Sequence, residues 1–251
     1  MGTWDVRLIS ASYVMEGDEP VVELYGKTRG KESITILVHG FRPYLFAVNP
    51  TEALERQLSE DQEVVGTEKD TLLYRATETP VLKVTLRSPW KVSEYRNRFR
   101  RMGFDTLAAD IPLNHRFFYD TDMGSCIRVT GEAVGSDRCT DLTVDMESFE
   151  NIDSFDPGLR ILSFDIENSV EHEFLYCICA VVGEDGEIRR CEPIHGTERD
   201  IITGFSDLIR SVDPDVITGY NIDNYDIRKI QERAKANKMK DALPWGCDGG
   251  Q

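Results

Sequence analysis

The sequence has no apolar stretch long enough to span a membrane. Met1 to Ser10 mixes polar and apolar residues and does not read as a secretory leader, so a cytoplasmic location is expected. Histidine is scarce, at four residues, and the six cysteines include no C-x-x-C pair, which argues against a zinc site. Repeats, low-complexity tracts and flexible Gly/Ser linkers are lacking as well. The chain also lacks a basic excess. Its net charge is −16, whereas a bulk electrostatic grip on nucleic acid needs the opposite sign.

What is present is an ordinary globular composition over 251 residues, enough for one large domain or two modest ones. The charge is unevenly spread. Residues 125–156 carry eight acids against two bases. One basic island interrupts the acidity: Arg87, Lys91, Arg96, Arg98, Arg100 and Arg101. Such a run is ordinarily a solvated helix face. The acidic stretch, with Gly131, Gly135 and the Pro157-Gly158 turn signal, is the expected boundary. The resulting division is 1–125, a connecting segment 126–157, and 158–251.

Periodicity gives an α+β reading. The opening is strand, turn, strand, around Glu16-Gly17-Asp18. Strands are expected at 33–38, 44–48, 72–76, 81–86 and 106–111, and helices at 51–58, capped by Thr51, and at 92–102. From residue 44 this is β-α-β-β-α-β, the ferredoxin-like order, behind a β-rich lead-in. The last part reads differently. It has a strand at 160–167, a hairpin turning at Glu184-Asp185-Gly186, a helix at 197–212, a strand at 216–220 and a helix at 225–237. The order β-β-β-α-β-α is that of an RNase H-like nuclease core. Cys177 and Cys179 alternate on one strand face and are expected to be reduced thiols acting as small core hydrophobes.

The chemistry concentrates in two short carboxylate motifs. Asp165 and Glu167, in Phe164-Asp165-Ile166-Glu167, are two apart on a strand and leave the same face. Adjacent carboxylates repel unless a cation intervenes. Oxygen-only ligands suit Mg²⁺ or Mn²⁺, and two such ions can activate a water and stabilise the leaving oxygen of a phosphodiester. Asp226 stands near the start of the final helix, where an RNase H-like core brings it towards the first strand. A lone D-x-E on a strand is more often a solvated surface feature. The apolar run before it, and Asp226 behind it, change that balance.

Phe-Asp-Ile-Glu followed by Gly219-Tyr220-Asn221-Ile222-Asp223-Asn224-Tyr225-Asp226 resembles the first two exonuclease motifs of family B DNA polymerases. The resemblance implies that Asp165, Glu167 and Asp226 are the metal-binding acids of a 3′→5′ proofreading exonuclease and that Asn221 helps position the substrate strand. Asn168 departs from the small residue many members have there. The family's third motif, Tyr-x-x-x-Asp, and its polymerase palm motifs are absent. The stretch resembles about the first third of such an enzyme, and the expectation is that alone it has neither activity. A free-standing exonuclease of the same superfamily is the alternative.

Tyr13 to Tyr25, Phe41 to Ala47 and Ala109 to Pro112 resemble the N-terminal domain of archaeal members. That resemblance implies binding of single-stranded template and a pocket that captures uracil. Its walls would be Tyr13, Pro43, Tyr44, Pro89, Val92, Ile111, Pro112 and Arg116, with Leu113 where several members have phenylalanine. A flipped base needs a flat apolar slot with a few groups that read its edge, and the prolines give rigid walls. Arg116 and the basic island would hold flanking phosphates; the plainer reading pairs Arg116 with a surface acid. Primer-template DNA, the remainder of a polymerase chain and, through it, a sliding clamp are the implied partners, with no membrane. The tail from Pro244 to Gln251 reads as an interrupted loop.

Overall fold

The computed structural model describes residues 1–135, 138–169, 171 and 174–239; the tail from Pro244 lies outside them. The chain divides into two compact units. The first comprises Met1–Thr28, Ile34–Gly135 and Leu142–Phe155, and the second comprises Arg29–Ser33, the described residues of 136–141 and those from Asp156 onward. Among the described residues no helix is long and apolar enough to cross a membrane.

The first unit runs β1 (Gly2–Glu16), β2 (Glu19–Thr28), β3 (Ser33–Val38), β4 (Tyr44–Val48), α1 (Glu52–Ser59), β5 (Val64–Tyr74), β6 (Thr77–Leu86), α2 (Lys91–Arg101), β7 (Thr106–Leu107), α3 (Leu113–Thr121), β8 (Cys126–Ala133) and β9 (Leu142–Asn151). Five of these strands close a barrel in the order β1-β2-β3-β9-β8, with β3 and β9 parallel. Its interior is filled by Val22, Leu24, Ile34, Ile36, Ile127, Val129 and Val144. Leu113 and Phe117, one turn apart on α3, add to the same core.

A second sheet, ordered β5-β6-β4-β7, is antiparallel throughout. Thr51 caps α1 by accepting the Leu54 N–H, as its sequence position suggested. Helices α1 and α2 bury Leu54, Leu58, Tyr95 and Phe99 with Leu45, Leu82 and Val84 of the sheet.

The acidic stretch 126–157, expected to be a connector, instead supplies β8 and β9. Its acids sit largely on the outer face, with Glu132, Glu147 and Glu150 exposed while Ile127, Val129 and Val144 are buried. Gly131 is required by geometry rather than by a turn. It sits at the bulge between β8 and β9, and a Cβ there would stand 2.1 Å from the Asp145 carbonyl oxygen. The strand expected at 106–111 is also shorter. Only Thr106–Leu107 pairs, and after Pro112 the chain turns into α3.

The second unit runs β10 (Ile161–Asn168), β11 (Leu175–Glu184), β12 (Glu187–Arg190), β13 (Ile194–His195), α4 (Glu198–Val212), β14 (Val216–Thr218) and α5 (Asp226–Ala236). The sheet order is β12-β11-β10-β14, with β13 alongside β11. Asp185 and Gly186, both left-handed, make the β11–β12 hairpin turn. The amphipathic α4, held at its start by a full capping box between Thr197 and Asp200, covers the apolar side of the sheet.

Glu198 ties this unit together. Its carboxylate accepts from Arg233 Nε at 2.7 Å and Nη2 at 2.8 Å, from Asn237 Nδ2 at 2.8 Å and from the Leu175 N–H at 3.0 Å. It thereby joins the start of α4, the end of α5 and the start of β11. The Arg233 bond, and after it those from Asn237 and Leu175, hold its pKa down to about 2. A carboxylate lowered on folding stabilises the fold above its unfolded pKa, and that stability is lost as pH falls through the folded value. Glu198→Gln is therefore expected to cost about 2 kcal/mol at neutral pH and to flatten the acid loss of stability between its ordinary range and about 2. Denaturant unfolding at a series of pH values measures both.

Candidate functional site

In β10 the pleat separates two sets of side chains. Leu162, Phe164 and Ile166 are buried, while Asp165 and Glu167 are exposed on the opposite face. Phe164 meets Phe205 of α4 with ring centroids 4.7 Å apart. This anchors the strand from below while its carboxylates remain accessible above.

The second motif reaches β10 through a glycine. A Cβ at Gly219 would stand 2.5 Å from the Phe164 carbonyl oxygen and 2.5 Å from Ile222 Cγ2. Only glycine lets the chain leaving β14 pass this close to β10. Ile222 is buried beyond it, Asn221 adopts a left-handed φ of 57°, and α5 begins at Asp226. The Tyr225 hydroxyl donates to Asn168 Oδ1 at 3.1 Å, joining the end of one motif to the end of the other. Asn168, the departure noted above, thus has a structural partner.

Asp226 is 3% exposed, far more buried than either acid on β10. Burial pushes its carboxyl above the ordinary carboxylate range, and the charge of Asp165 pushes the same way. Its own N–H and that of Ile166 act against the shift. Asp226, on a helix far from β10 in sequence, thus lies within electrostatic reach of Asp165. Among the described residues no three His, Cys, Asp or Glu side chains stand close enough to form a metal cluster. Glu167 shares the face without completing a trio. Asn221 is exposed, with its Oδ1 accepting from Asn224 Nδ2 at 3.1 Å.

The donor chemistry still fits a hard divalent cation. The ligand atoms are carboxylate oxygens, and two of the acids are near enough for one to raise the other. Beside them an open cleft of 880 Å³ is lined by Asp165, Cys179, Arg190, Cys191, Gly219 and Tyr220, among others. Cys177 is half-buried and Cys179 exposed, so they do not serve as core hydrophobes. The strand alternation that groups them places them on the carboxylate face instead.

In the first unit, all eight residues named for a base pocket line one cavity of 350 Å³: Tyr13, Pro43, Tyr44, Pro89, Val92, Ile111, Pro112 and Arg116. Trp90, Ser93, Arg96 and Leu113 line it too. Arg116 does not present a bare charge. It pairs with Asp120 at 2.9 Å and donates to the Tyr44 hydroxyl through Nε at 2.6 Å and also through Nη2. That hydroxyl donates in turn to Asp120 at 2.7 Å. Burial and the Asp120 bond push the Tyr44 phenol up to about 12. Two cations, Lys83 Nζ and the Arg116 guanidinium, lie over the ring, each 4.4 Å from its centroid.

Within the basic island, Arg98 pairs with Asp61 at 2.7 Å, Lys91 with Glu94 at 2.7 Å and Arg87 with Asp18 at 3.6 Å. Arg96 differs: its Nε is buried with no hydrogen-bond partner. Its place in the cavity wall could not be read from the run of arginines alone.

The two units define a mixed α+β, β-rich protein with a carboxylate-bearing sheet face. The family model for the exonuclease domain of family B DNA polymerases matches residues 104–246. The chain belongs to the family B DNA polymerases. It is 30% identical over 258 residues to the DNA polymerase of Archaeoglobus fulgidus, covering 96% of this chain and 32% of that one. DNA polymerase 2 of Aeropyrum pernix is 29% identical over 263 residues, covering 94% and 33%. The structure of the family B DNA polymerase from the hyperthermophilic archaeon Pyrobaculum calidifontis superposes with a TM-score of 0.74 at 27% identity, covering 93% of this chain and 32% of that chain. The chain spans about a third of the length of these relatives.

Gly219→Ala is expected to destabilise the second unit by about 1–3 kcal/mol, because its methyl group would press on the Phe164 backbone. Denaturant unfolding with the wild type as reference measures this.

Proposed function

We propose that the chain is part of a DNA polymerase with 3′→5′ proofreading, in which the second unit carries acids of the exonuclease site and the first binds single-stranded template. Asp226 buried within electrostatic reach of Asp165, in a chain of this family, carries the reading. The β-β-β-α-β-α order of the second unit supports an RNase H-like assignment, once the short β13 is set aside. The sheet order β5-β6-β4-β7 with α1 and α2 supports a ferredoxin-like core in the first.

In this reading Asp165, Glu167 and Asp226 hold Mg²⁺ or Mn²⁺, and Asn221 positions the strand being trimmed. When bound, such ions supply an activated water and charge stabilisation at the leaving oxygen. The chain's own contribution is placement. Gly219 brings the second motif against β10, Ile166 N–H steadies the Asp226 carboxylate, and the Tyr225–Asn168 bond fixes the entry to α5. The remainder of a polymerase chain, primer-template DNA and a sliding clamp are the partners this reading implies.

The cavity at Tyr44 and Ile111 supports uracil capture by the first unit. Its 350 Å³ is at the small end of ligand pockets, which run to about 1,000 Å³. Its proline and aromatic walls suit a planar base. Arg116 acts there by holding Tyr44 in place, and Arg96 is the better candidate for a phosphate contact.

Two measurements test these readings. Mn²⁺ should raise the thermal unfolding temperature of the wild-type chain, and Asp165→Asn and Asp226→Asn should each abolish that rise. A rise surviving in both variants would remove the metal assignment. Gel shifts should show tighter binding of single-stranded DNA carrying one deoxyuracil than of its thymine counterpart. Tyr44→Ala, checked for folding by circular dichroism, should erase the difference. Equal affinity of the wild type for both strands would end the uracil reading.

A further inference from the structure

The ladder between β10 and β11 sets Cys179 directly opposite Asp165 and Cys177 directly opposite Glu167. Residues opposite one another in an antiparallel pair share a sheet face, with Cβ atoms about 4.5–5.5 Å apart. Two thiols and two carboxylates therefore share one sheet face. Both thiols are free, Cys177 half-buried and Cys179 exposed. Packing does not account for them, because the buried residues of β11 (Leu175, Ile178, Ala180 and Val182) point to the other face. A disulfide does not suit them either. Residues two apart on a strand have Cα atoms about 6.6 Å apart, near the upper limit of about 6.8 Å for a disulfide.

We infer that Cys177 and Cys179 chelate a soft, thiophilic metal ion of the Zn²⁺ and Cd²⁺ class, with a carboxylate of the opposing strand as an oxygen ligand. Same-face neighbours about 6.6 Å apart at Cα can be bridged by an ion with metal–sulfur bonds of about 2.3 Å. Since no three such side chains already stand together as a cluster among the described residues, the thiol pair makes the first contact. Asp165 or Glu167, both exposed, then joins by rotating its side chain. Sulfur ligands discriminate against Mg²⁺ and Mn²⁺, so this site is chemically distinct from an all-oxygen site on the same face. It requires only the observed strand register and stands whether or not the acids serve a nuclease.

The test is titration of the full 251-residue chain with Cd²⁺ in excess Mg²⁺, following the ultraviolet charge-transfer absorbance of cadmium–thiolate bonds. Saturation at one ion per chain is expected, with loss of the band in the Cys177→Ser, Cys179→Ser double variant and retention in Cys126→Ser. A band that persists in the double variant overturns the inference. The wild-type chain gives a second readout that needs no substitution. Bound Cd²⁺ should protect Cys177 and Cys179 from iodoacetamide, as read by peptide mapping, while Cys191 reacts at its unliganded rate. Equal alkylation of Cys177 and Cys179 with and without the ion also overturns it.

Discussion

The pleat of β10 is the constraint on which the second unit depends. The strand lies between β11 and β14, so its register is fixed on both sides. A slip of one residue would drive Asp165 and Glu167 into the core and expel Phe164 and Ile166. That cost is prohibitive for two carboxylates, and it keeps both acids on the open face. The other features of the site attach to this strand. Phe205 packs under Phe164, Gly219 passes over its carbonyl, and Asp226 sits by the Ile166 N–H.

Charge is handled differently in the two units. In the second, Glu198 is fully partnered and serves as a tie, whereas Asp226 is buried beside another acid. The first arrangement stabilises the fold and the second costs it stability. In the first unit, the Tyr44–Arg116–Asp120 group resembles Glu198 in being internally satisfied. It makes a rigid cavity wall and leaves little free charge in it. The unpartnered Nε of Arg96 is the exception there.

Much of the element order was legible because the local signals agreed with the tertiary outcome. Strand 44–48, the Thr51 cap, the amphipathic helix from Thr197 and the Asp185-Gly186 turn all arise from interactions within a few residues. The errors came where tertiary context prevailed. The acidic stretch looked like a linker because its surface charges outnumber the few apolar residues that enter the barrel. Helix α3 was hidden by its short apolar repeat, in which Leu113 and Phe117 are the buried residues. The thiols on β11 were assigned to the core because alternation identifies a shared face without saying which face is wet.

The sequence by itself determined the family, the D-x-E pair on one strand face and the chemistry of the residues that gather round Tyr44. These follow from residue identity, strand period and local turn geometry, which need no distant partner. Only the tertiary structure decided how deeply Asp226 is buried, that Arg116 is spent on Tyr44 and Asp120, and that Cys177 and Cys179 face the acids. Each of those depends on cross-strand register or on the packing of remote elements. A single sequence carries no local signal for either.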